Sequence, residues 1–108
     1  MDILMVYKIF HSNTFDRILN KMPKDFKEWV DKIEDQLVDN PYVGDPIRVS
    51  WFREKKWNKY RVYYLIYEDM NVVYIVGISD KKDQQAVINT IWLLIDQFKE
   101  EIEHLLKK

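Results

Sequence analysis

Two strand-forming stretches separated by a short turn constrain the fold of this chain most strongly. Residues 57–79 consist mainly of β-branched and aromatic residues, interrupted by the turn sequence Glu68-Asp69-Met70-Asn71. Such residues fit the pleated, half-buried surface of a sheet. The segment therefore predicts an antiparallel pair of strands, with Arg61 as a cation set within the first of them.

A cation within an apolar strand has two explanations. Arg61 either faces solvent with its aliphatic stem over Tyr63, or it holds an anion on an exposed sheet face. In residues 48–61 six cations accompany one acid, Glu54, so this segment carries +5 and the remaining residues carry −6 of the net charge of −1. Such asymmetry is expected where one surface meets an anion. The six cations are Arg48, Arg53, Lys55, Lys56, Lys59 and Arg61.

The composition limits the class of protein. A chain of 108 residues is predicted to form one domain, residues 1–108, with a core supplied by its 47% hydrophobic residues. The absence of cysteine excludes a disulfide framework, thiolate chemistry and cysteine zinc sites. We expect no metal and no cofactor. No apolar run is long enough to span a membrane and no signal peptide is evident, so we expect a cytoplasmic protein.

The first third of the chain predicts a strand followed by two helices. Residues 2–10 are a nearly continuous apolar run, typical of a buried strand. Apolar residues at helical spacing then predict a first helix from about residue 12 to residue 22, capped by Ser12 or Asn13. Pro23 separates it from a second amphipathic helix that ends before residue 40, which gives an αα-hairpin.

The middle of the chain predicts a change from helix to sheet. Residues 40–46 are rich in proline and glycine, and from Ile47 the apolar pattern alternates with period two. We interpret Arg53 to Asn58 as a basic loop that contains Trp57. Gly77, inside the last strand, predicts a bulge or a close backbone approach.

The last segment predicts one long helix over about residues 82–107. Its apolar residues are spaced 3, 4, 3, 4, 3, as in a coiled-coil seam. Two outcomes are open: the helix folds back on its own sheet, or its second half pairs with another copy to form a homodimer. The seam consists of Ile88, Ile91, Ile95, Phe98, Ile102 and Leu105.

The predicted fold class is therefore α+β: an N-terminal strand, an αα-hairpin, a three-strand antiparallel run forming a small twisted sheet, and a long C-terminal helix. Three segments in this order resemble the RelE/ParE toxin superfamily. Residues 40–47 resemble its Pro…Gly-x-Pro-Leu segment, Tyr60-Arg61-Val62-Tyr63-Tyr64 its Tyr-Arg-Val-x-Tyr strand, and residues 72–82 its final apolar strand ending in a basic residue. The resemblance covers about residues 1–85.

The resemblance implies a toxin that a cognate antitoxin neutralises. RelE-like members cleave mRNA on the ribosome without a metal, since the ribose 2′-hydroxyl attacks the adjacent phosphate, and ParE-like members inhibit DNA gyrase. Cleavage requires cations around one phosphate and groups that transfer protons. By position, the candidate catalytic residues are Arg61, Lys81, Lys82, Lys55 and Lys56, and the candidate nucleic-acid-binding residues are Arg53, Lys59, Trp57 and Gln85.

The sequence also departs from that pattern. RelE-like enzymes often carry a histidine or tyrosine after the last strand, where this chain has Asp83, Gln84 and Gln85. A lysine of the Lys55-Lys56 pair could act as the base if its neighbour lowered its pKa. We therefore expect a ribosome-dependent mRNA endonuclease. The alternatives are a ParE-like gyrase inhibitor or inactive relative that acts by binding a protein, and a dimerising interaction module.

Overall fold

The computed structural model describes residues 6–107. It contains a five-stranded sheet with β1 (Lys8–His11), β2 (Asp45–Ile47), β3 (Val49–Trp57), β4 (Tyr60–Tyr67) and β5 (Val72–Asp80). The strand order is β1-β5-β4-β3-β2, in which β1 runs parallel to β5 and all other neighbours are antiparallel. The parallel pair is possible because the αα-hairpin and three further strands separate β1 from β5 in sequence.

Helices cover both faces of this sheet. α1 (Asn13–Asn20) and α2 (Lys24–Asp39) form the predicted αα-hairpin on one face, and α3 (Gln84–Leu93) and α4 (Ile95–Leu106) lie on the other. Single 3₁₀ turns occupy Pro41–Val43 and Glu68–Met70. The predicted α+β class is confirmed, and none of the helices in residues 6–107 is long and apolar enough to cross a membrane.

Each face has its own hydrophobic core because strand side chains alternate between the faces. Under α1 and α2, Val62, Tyr64 and Ile66 of β4 pack with Phe26 and Val30 of α2. The intervening positions of β4 point the other way, toward α3 and α4. There Tyr63 and Leu65 join a second core whose other buried members include Phe52, Tyr74, Val76, Ile88, Ile91, Phe98 and Ile102.

Several local predictions are confirmed. The Ser12 hydroxyl accepts a hydrogen bond from the Phe15 amide, 3.1 Å away, and so caps α1. The turn before β5 lies at residues 68–71, where Asn71 adopts a left-handed conformation with φ of 54°. Asparagine tolerates that conformation better than most residues, since its side chain can hydrogen-bond locally.

The predicted N-terminal strand begins later than expected. Residues 2–5 of the apolar run lie outside the described residues, and β1 starts at Lys8. The strand predicted to start at Ile47 is divided at Arg48, whose φ of 65° turns the chain between β2 and β3. Alternation of apolar residues cannot distinguish one strand from two that meet at such a turn.

The predicted basic loop from Arg53 to Asn58 is wrong, because β3 continues to Trp57. Trp57 pairs with Tyr60 across a tight turn in which Asn58 has φ of 55°. The reason lies in the core: the Trp57 ring stacks on Trp29 at 5.9 Å and meets Phe26 at 5.8 Å. Burial of this indole holds the basic residues in a strand despite their loop-like composition.

The predicted C-terminal helix is present but is not continuous. It breaks at Leu94, with φ of −102° and ψ of 8°, into α3 and α4. The break lets both halves follow the sheet, so the predicted seam packs within the chain. Ile102 is fully buried, and Ile95 and Leu105 pack against the same core. Homodimerisation through Ile88, Ile91, Ile95, Phe98, Ile102 and Leu105 therefore lacks an exposed surface in this structure.

Gly77 lies at the predicted bulge. Tyr63 pairs with Gly77 and Tyr64 with Ile75, so β5 holds one extra residue, Val76, at this point. A Cβ on Gly77 would lie 3.3 Å from the Ile91 side chain of α3. The glycine thus allows both the bulge and the close approach of α3 to the sheet.

Candidate functional site

Arg61 and Glu54 form a buried ion pair under α3. The β3–β4 hairpin pairs Lys56 with Arg61 and Glu54 with Tyr63, which places all four side chains on the same face of the sheet. Arg61 is 8% exposed and Glu54 is 5% exposed. The Arg61 Nε atom lies 3.8 Å from Glu54 Oε1. The strand arginine is therefore enclosed by protein, with a carboxylate as its nearest charge.

Two polar residues from other elements, Gln84 of α3 and Ser79 of β5, complete the cluster. Gln84, the first residue of α3, directs its Nε2 atom toward both Glu54 carboxylate oxygens at 3.5 Å. The hydroxyls of Tyr63 and Ser79 share a hydrogen bond of 2.8 Å. Burial raises the pKa of Tyr63 above its ordinary value of 10.0. This phenol therefore stays protonated at neutral pH and is not a base in the described conformation.

The Arg61 guanidinium is incompletely satisfied. Its Nη1 donates to the Lys59 carbonyl oxygen at 3.2 Å, whereas its Nε is buried and has no hydrogen-bond partner in the described part of the chain. At 3.8 Å the Glu54 oxygen is beyond hydrogen-bond distance. An unpaired buried donor costs about 1–3 kcal/mol. The arrangement can therefore accept one further oxygen ligand at Nε, but only if that ligand gains access.

The candidate catalytic lysines lie around this cluster. Lys56 is exposed and is the cross-strand neighbour of Arg61. Lys81 and Lys82 are exposed and follow the end of β5, where Ser79 pairs with Arg61. Lys55 is half-buried at the position next to Lys56, so its side chain points to the opposite face. The structure thus brings Arg61 and Lys56 together and separates Lys55 from them.

The candidate nucleic-acid-binding residues do not form one surface. The Arg53 Nε donates to the Gly44 carbonyl at 2.9 Å and its Nη1 to the Ser50 carbonyl at 2.8 Å, so this guanidinium ties β3 to the preceding loop. Trp57 is part of the aromatic core. Lys59 lies over the Tyr60 ring, and Gln85 donates to Asn89 along α3.

Histidine takes no part in this cluster. His11, on β1, contacts Asp16 of α1 through Nδ1 at 2.8 Å and Glu34 of α2 through Nε2. The hydrogen bond with Glu34 raises the His11 pKa above 6.5, with a further contribution from Asp16, although burial opposes the shift. His104 is exposed on α4. In residues 6–107 no group of three or more potential metal ligands comes together.

Sequence reasoning found Arg61 but missed its partner. In the sequence, Glu54 is conspicuous only as the single acid of a basic segment. Its position seven residues before Arg61 would have revealed the pair once the hairpin turn was placed at Asn58 and Lys59, because side chains diagonal to each other across a hairpin lie on one face. Ser79 carried no signal, since the bulge reverses its direction.

Comparison with known proteins gives a consistent family relation. Residues 6–85 match the family model described as ParE toxin of type II toxin–antitoxin system, parDE. These residues comprise the sheet, α1, α2 and the first residues of α3. A search of curated protein sequences finds no match.

Solved toxin structures share this fold at low sequence identity. The toxin–antitoxin complex RelBE2 from Mycobacterium tuberculosis aligns with a TM-score of 0.62 and 24% identity, over 74% of this chain and 97% of that chain. The intact Escherichia coli RelBE complex aligns with a TM-score of 0.62 and 14% identity, over 68% and 95%. The isolated E. coli RelE toxin gives 0.62 and 14%, over 78% and 98%.

Proposed function

Because this chain belongs to the ParE toxin family of type II toxin–antitoxin systems, we propose that it is a toxin that acts by binding its target protein and not by cleaving RNA. The observation that carries this proposal is the closed state of Arg61, which is 8% exposed and faces the Glu54 carboxylate. A phosphate ligand needs an open approach and an uncompensated positive charge. The described conformation offers neither.

The proposed target is DNA gyrase, the target that resemblance to ParE-like members implies. The proposed second partner is a cognate antitoxin. Support for the antitoxin comes from the similar structures of M. tuberculosis RelBE2 and E. coli RelBE, which are toxin–antitoxin complexes. Both partners are proteins, so recognition of both depends on exposed side chains and strand edges, and the buried cluster serves to hold the shape of the sheet.

One observation favours a second candidate function, the metal-independent mRNA endonuclease. The Arg61 Nε lacks a hydrogen-bond partner among residues 6–107, and Lys56 lies beside it with Lys81 and Lys82 at the end of β5. If α3 and Glu54 moved aside, these cations could surround one phosphate. The ribose 2′-hydroxyl would lose its proton to a neighbouring base and attack that phosphate, which forms a 2′,3′-cyclic phosphate, while the 5′-oxygen leaves with a proton from a neighbouring acid.

Two assays with the purified protein separate these functions. We expect gyrase supercoiling to be inhibited, and mRNA translated in a cell-free extract to stay intact in primer extension. Discrete new 5′ ends at ribosomal positions would overturn the binding proposal and establish the nuclease. Intact mRNA together with unimpaired supercoiling would overturn gyrase as the target.

Arg61 provides the matched test of the site. We expect a folded Arg61→Met variant to retain inhibition of supercoiling, because the target does not contact the buried guanidinium. Arg17→Met, on the exposed surface of α1, is the control for removal of one arginine. If Arg61→Met kept its circular dichroism spectrum but lost growth inhibition, while Arg17→Met kept both, the anion-binding role of Arg61 would be supported instead.

A further inference from the structure

Only the first half of the outer edge of β5 pairs with another described strand. β1 pairs with Val72–Ile75, after which the Ser12 amide donates to the Ile75 carbonyl and the chain turns into α1. From Val76 to Asp80, β5 is paired with β4 on one side and with no described strand on the other. An unpaired strand edge presents amide and carbonyl groups in the spacing that another strand requires.

A groove of about 600 Å³ lies along this open edge, between the start of α1 and the α3–α4 pair. Val76, Gly77 and Ile78 all line it. Val76 belongs to the core under α3 and α4, and Ile78 belongs to the core under α1 and α2. Because their side chains point to opposite faces of the sheet, both residues can line one groove only if it runs along the edge of the strand. The backbone edge of β5 therefore borders the groove, and its volume is in the range of natural binding sites.

The walls of the groove define the chemistry of an occupant. Ile18, Val87, Leu94 and Phe98 supply apolar surface, and Ile18 is exposed although it follows the apolar spacing of α1. Among residues 6–107, the charged residues that line the groove are Asp83 and Glu101, and no lysine or arginine lines it. An occupant that matches these walls combines apolar side chains with cations.

We propose that this groove binds an extended segment of a partner protein in which apolar residues alternate with lysine or arginine. The segment adds to the open edge of β5 over Val76–Asp80, in line with β1, and forms backbone hydrogen bonds there. Five residues of β5 offer an edge of about 16 Å at 3.3 Å per residue. Alternate side chains of the segment contact the apolar walls, and its cations face Asp83 and Glu101. The inference does not depend on which target the toxin inhibits.

The first test is selection of peptides on the folded protein from a phage-displayed library of random 12-residue sequences. We expect the selected peptides to alternate apolar residues with lysine or arginine. In hydrogen exchange, a synthetic copy of such a peptide should slow exchange of the amides within Val76–Asp80. A selection that yields no binder, yields acidic or patternless peptides, or protects amides elsewhere would overturn the proposal.

Neighbouring positions on α3 provide a matched pair of variants. Thr90 lines the groove and Asn89 does not, and both are exposed. We expect Thr90→Trp to weaken peptide binding by about tenfold or more, because the indole fills the groove, and Asn89→Trp to leave it unchanged. Asp83→Lys should weaken binding of the cationic peptide as well. Equal losses in Thr90→Trp and Asn89→Trp, or none in Thr90→Trp, would contradict the groove as the site.

Discussion

The face of the sheet under α1 and α2 is filled with aromatic rings and aliphatic side chains, whereas the face under α3 and α4 encloses a guanidinium and a carboxylate. On the first face, Phe26 lies between Trp29, Trp57 and Tyr60 with ring centroids 5.4–5.8 Å apart. On the second, Arg61 and Glu54 lie beside Tyr63 and under the start of α3. Both faces are buried, so burial alone does not distinguish them.

The two faces contribute differently to the stability of the fold. Apolar packing stabilises the fold by about 25 cal/mol per Å² of surface removed from water. A buried ion pair with an unsatisfied donor is at best neutral for stability, since desolvation of two charges offsets their attraction. Apolar packing stabilises the domain on both faces, since each has its own hydrophobic core. The second face also encloses the Arg61–Glu54 ion pair, which adds little net stability and is tolerated only while both charges are present.

The largest expected effect is on the first face. Phe26 is fully buried among three aromatic rings. We expect Phe26→Ala to lower the free energy of unfolding by about 3–5 kcal/mol, because it removes apolar contact and leaves a cavity. Urea unfolding followed by tryptophan fluorescence measures it.

The control for that change is Leu93→Ala. Leu93 is 85% exposed at the end of α3, so its truncation should change the free energy of unfolding by less than about 0.5 kcal/mol. Similar losses in the two variants would show that the aromatic cluster is not the main source of stability.

A smaller effect is expected from the ion pair of the second face. Glu54→Met should destabilise the protein by about 3 kcal/mol, because it leaves the Arg61 guanidinium buried without a counter-charge. The double variant Glu54→Met with Arg61→Met should lie within about 1 kcal/mol of the wild type, since hydrophobic replacement of a buried pair is often neutral. The double-mutant cycle in urea unfolding measures this coupling.

Additive losses of stability in that cycle would contradict the view that Glu54 and Arg61 act as a coupled ion pair. They would mean that Glu54 and Arg61 stabilise the fold independently, each through its own packing. A double variant more stable than the wild type would strengthen the contrast between the two faces, because it would show that the ion pair lowers the stability of the folded protein.

The smallest expected effect is at the rim of the first face, where His11 contacts Glu34 and Asp16. Its pKa is raised in the folded protein, so folding favours the protonated ring. This contribution is full below the unfolded pKa of about 6.5 and is lost as the pH rises through the raised folded value. We expect the stability advantage of the wild type over His11→Gln, below about 1 kcal/mol, to shrink between pH 6 and pH 9.

Thermal unfolding of both proteins across this pH range measures the effect. An advantage that grows toward pH 9 would show that the neutral ring, and not the imidazolium, is the form that the fold favours.

The elements that the sequence predicted well are those specified by adjacent residues. β4, its turn and β5 follow from β-branched runs and one polar turn, and α1 follows from its apolar spacing and Ser12. The continuation of β3 to Trp57 and the break at Leu94 depend on contacts with distant elements. A basic composition and an unbroken helical seam therefore gave the wrong local structure in both places.

The candidate site divides in the same way. Arg61 could be identified because an arginine is conspicuous in an apolar strand, and Lys56 because it belongs to the same basic segment. The enclosure of Arg61 could not be inferred from its neighbours, since its partner Glu54 is contacted by Gln84 from a helix 30 residues later in the chain. Adjacent residues in the sequence thus predict which polar residues form the site, but they do not predict whether those residues are exposed to solvent.

The extra residue at Val76 reverses which side chains at the end of β5 point toward each face of the sheet. Up to Val76, the even-numbered side chains of β5 point toward α3 and α4, whereas beyond Gly77 the odd-numbered ones do. As a result, Ile78 joins the core under α1 and α2, and the Ser79 hydroxyl reaches Tyr63. In an unbroken strand, Ile78 would point toward α3 and Ser79 would be buried among aliphatic side chains. One inserted residue therefore keeps the hydroxyl on the side of the ion pair, and a homologue that lacks it would have to exchange the residue types at both positions.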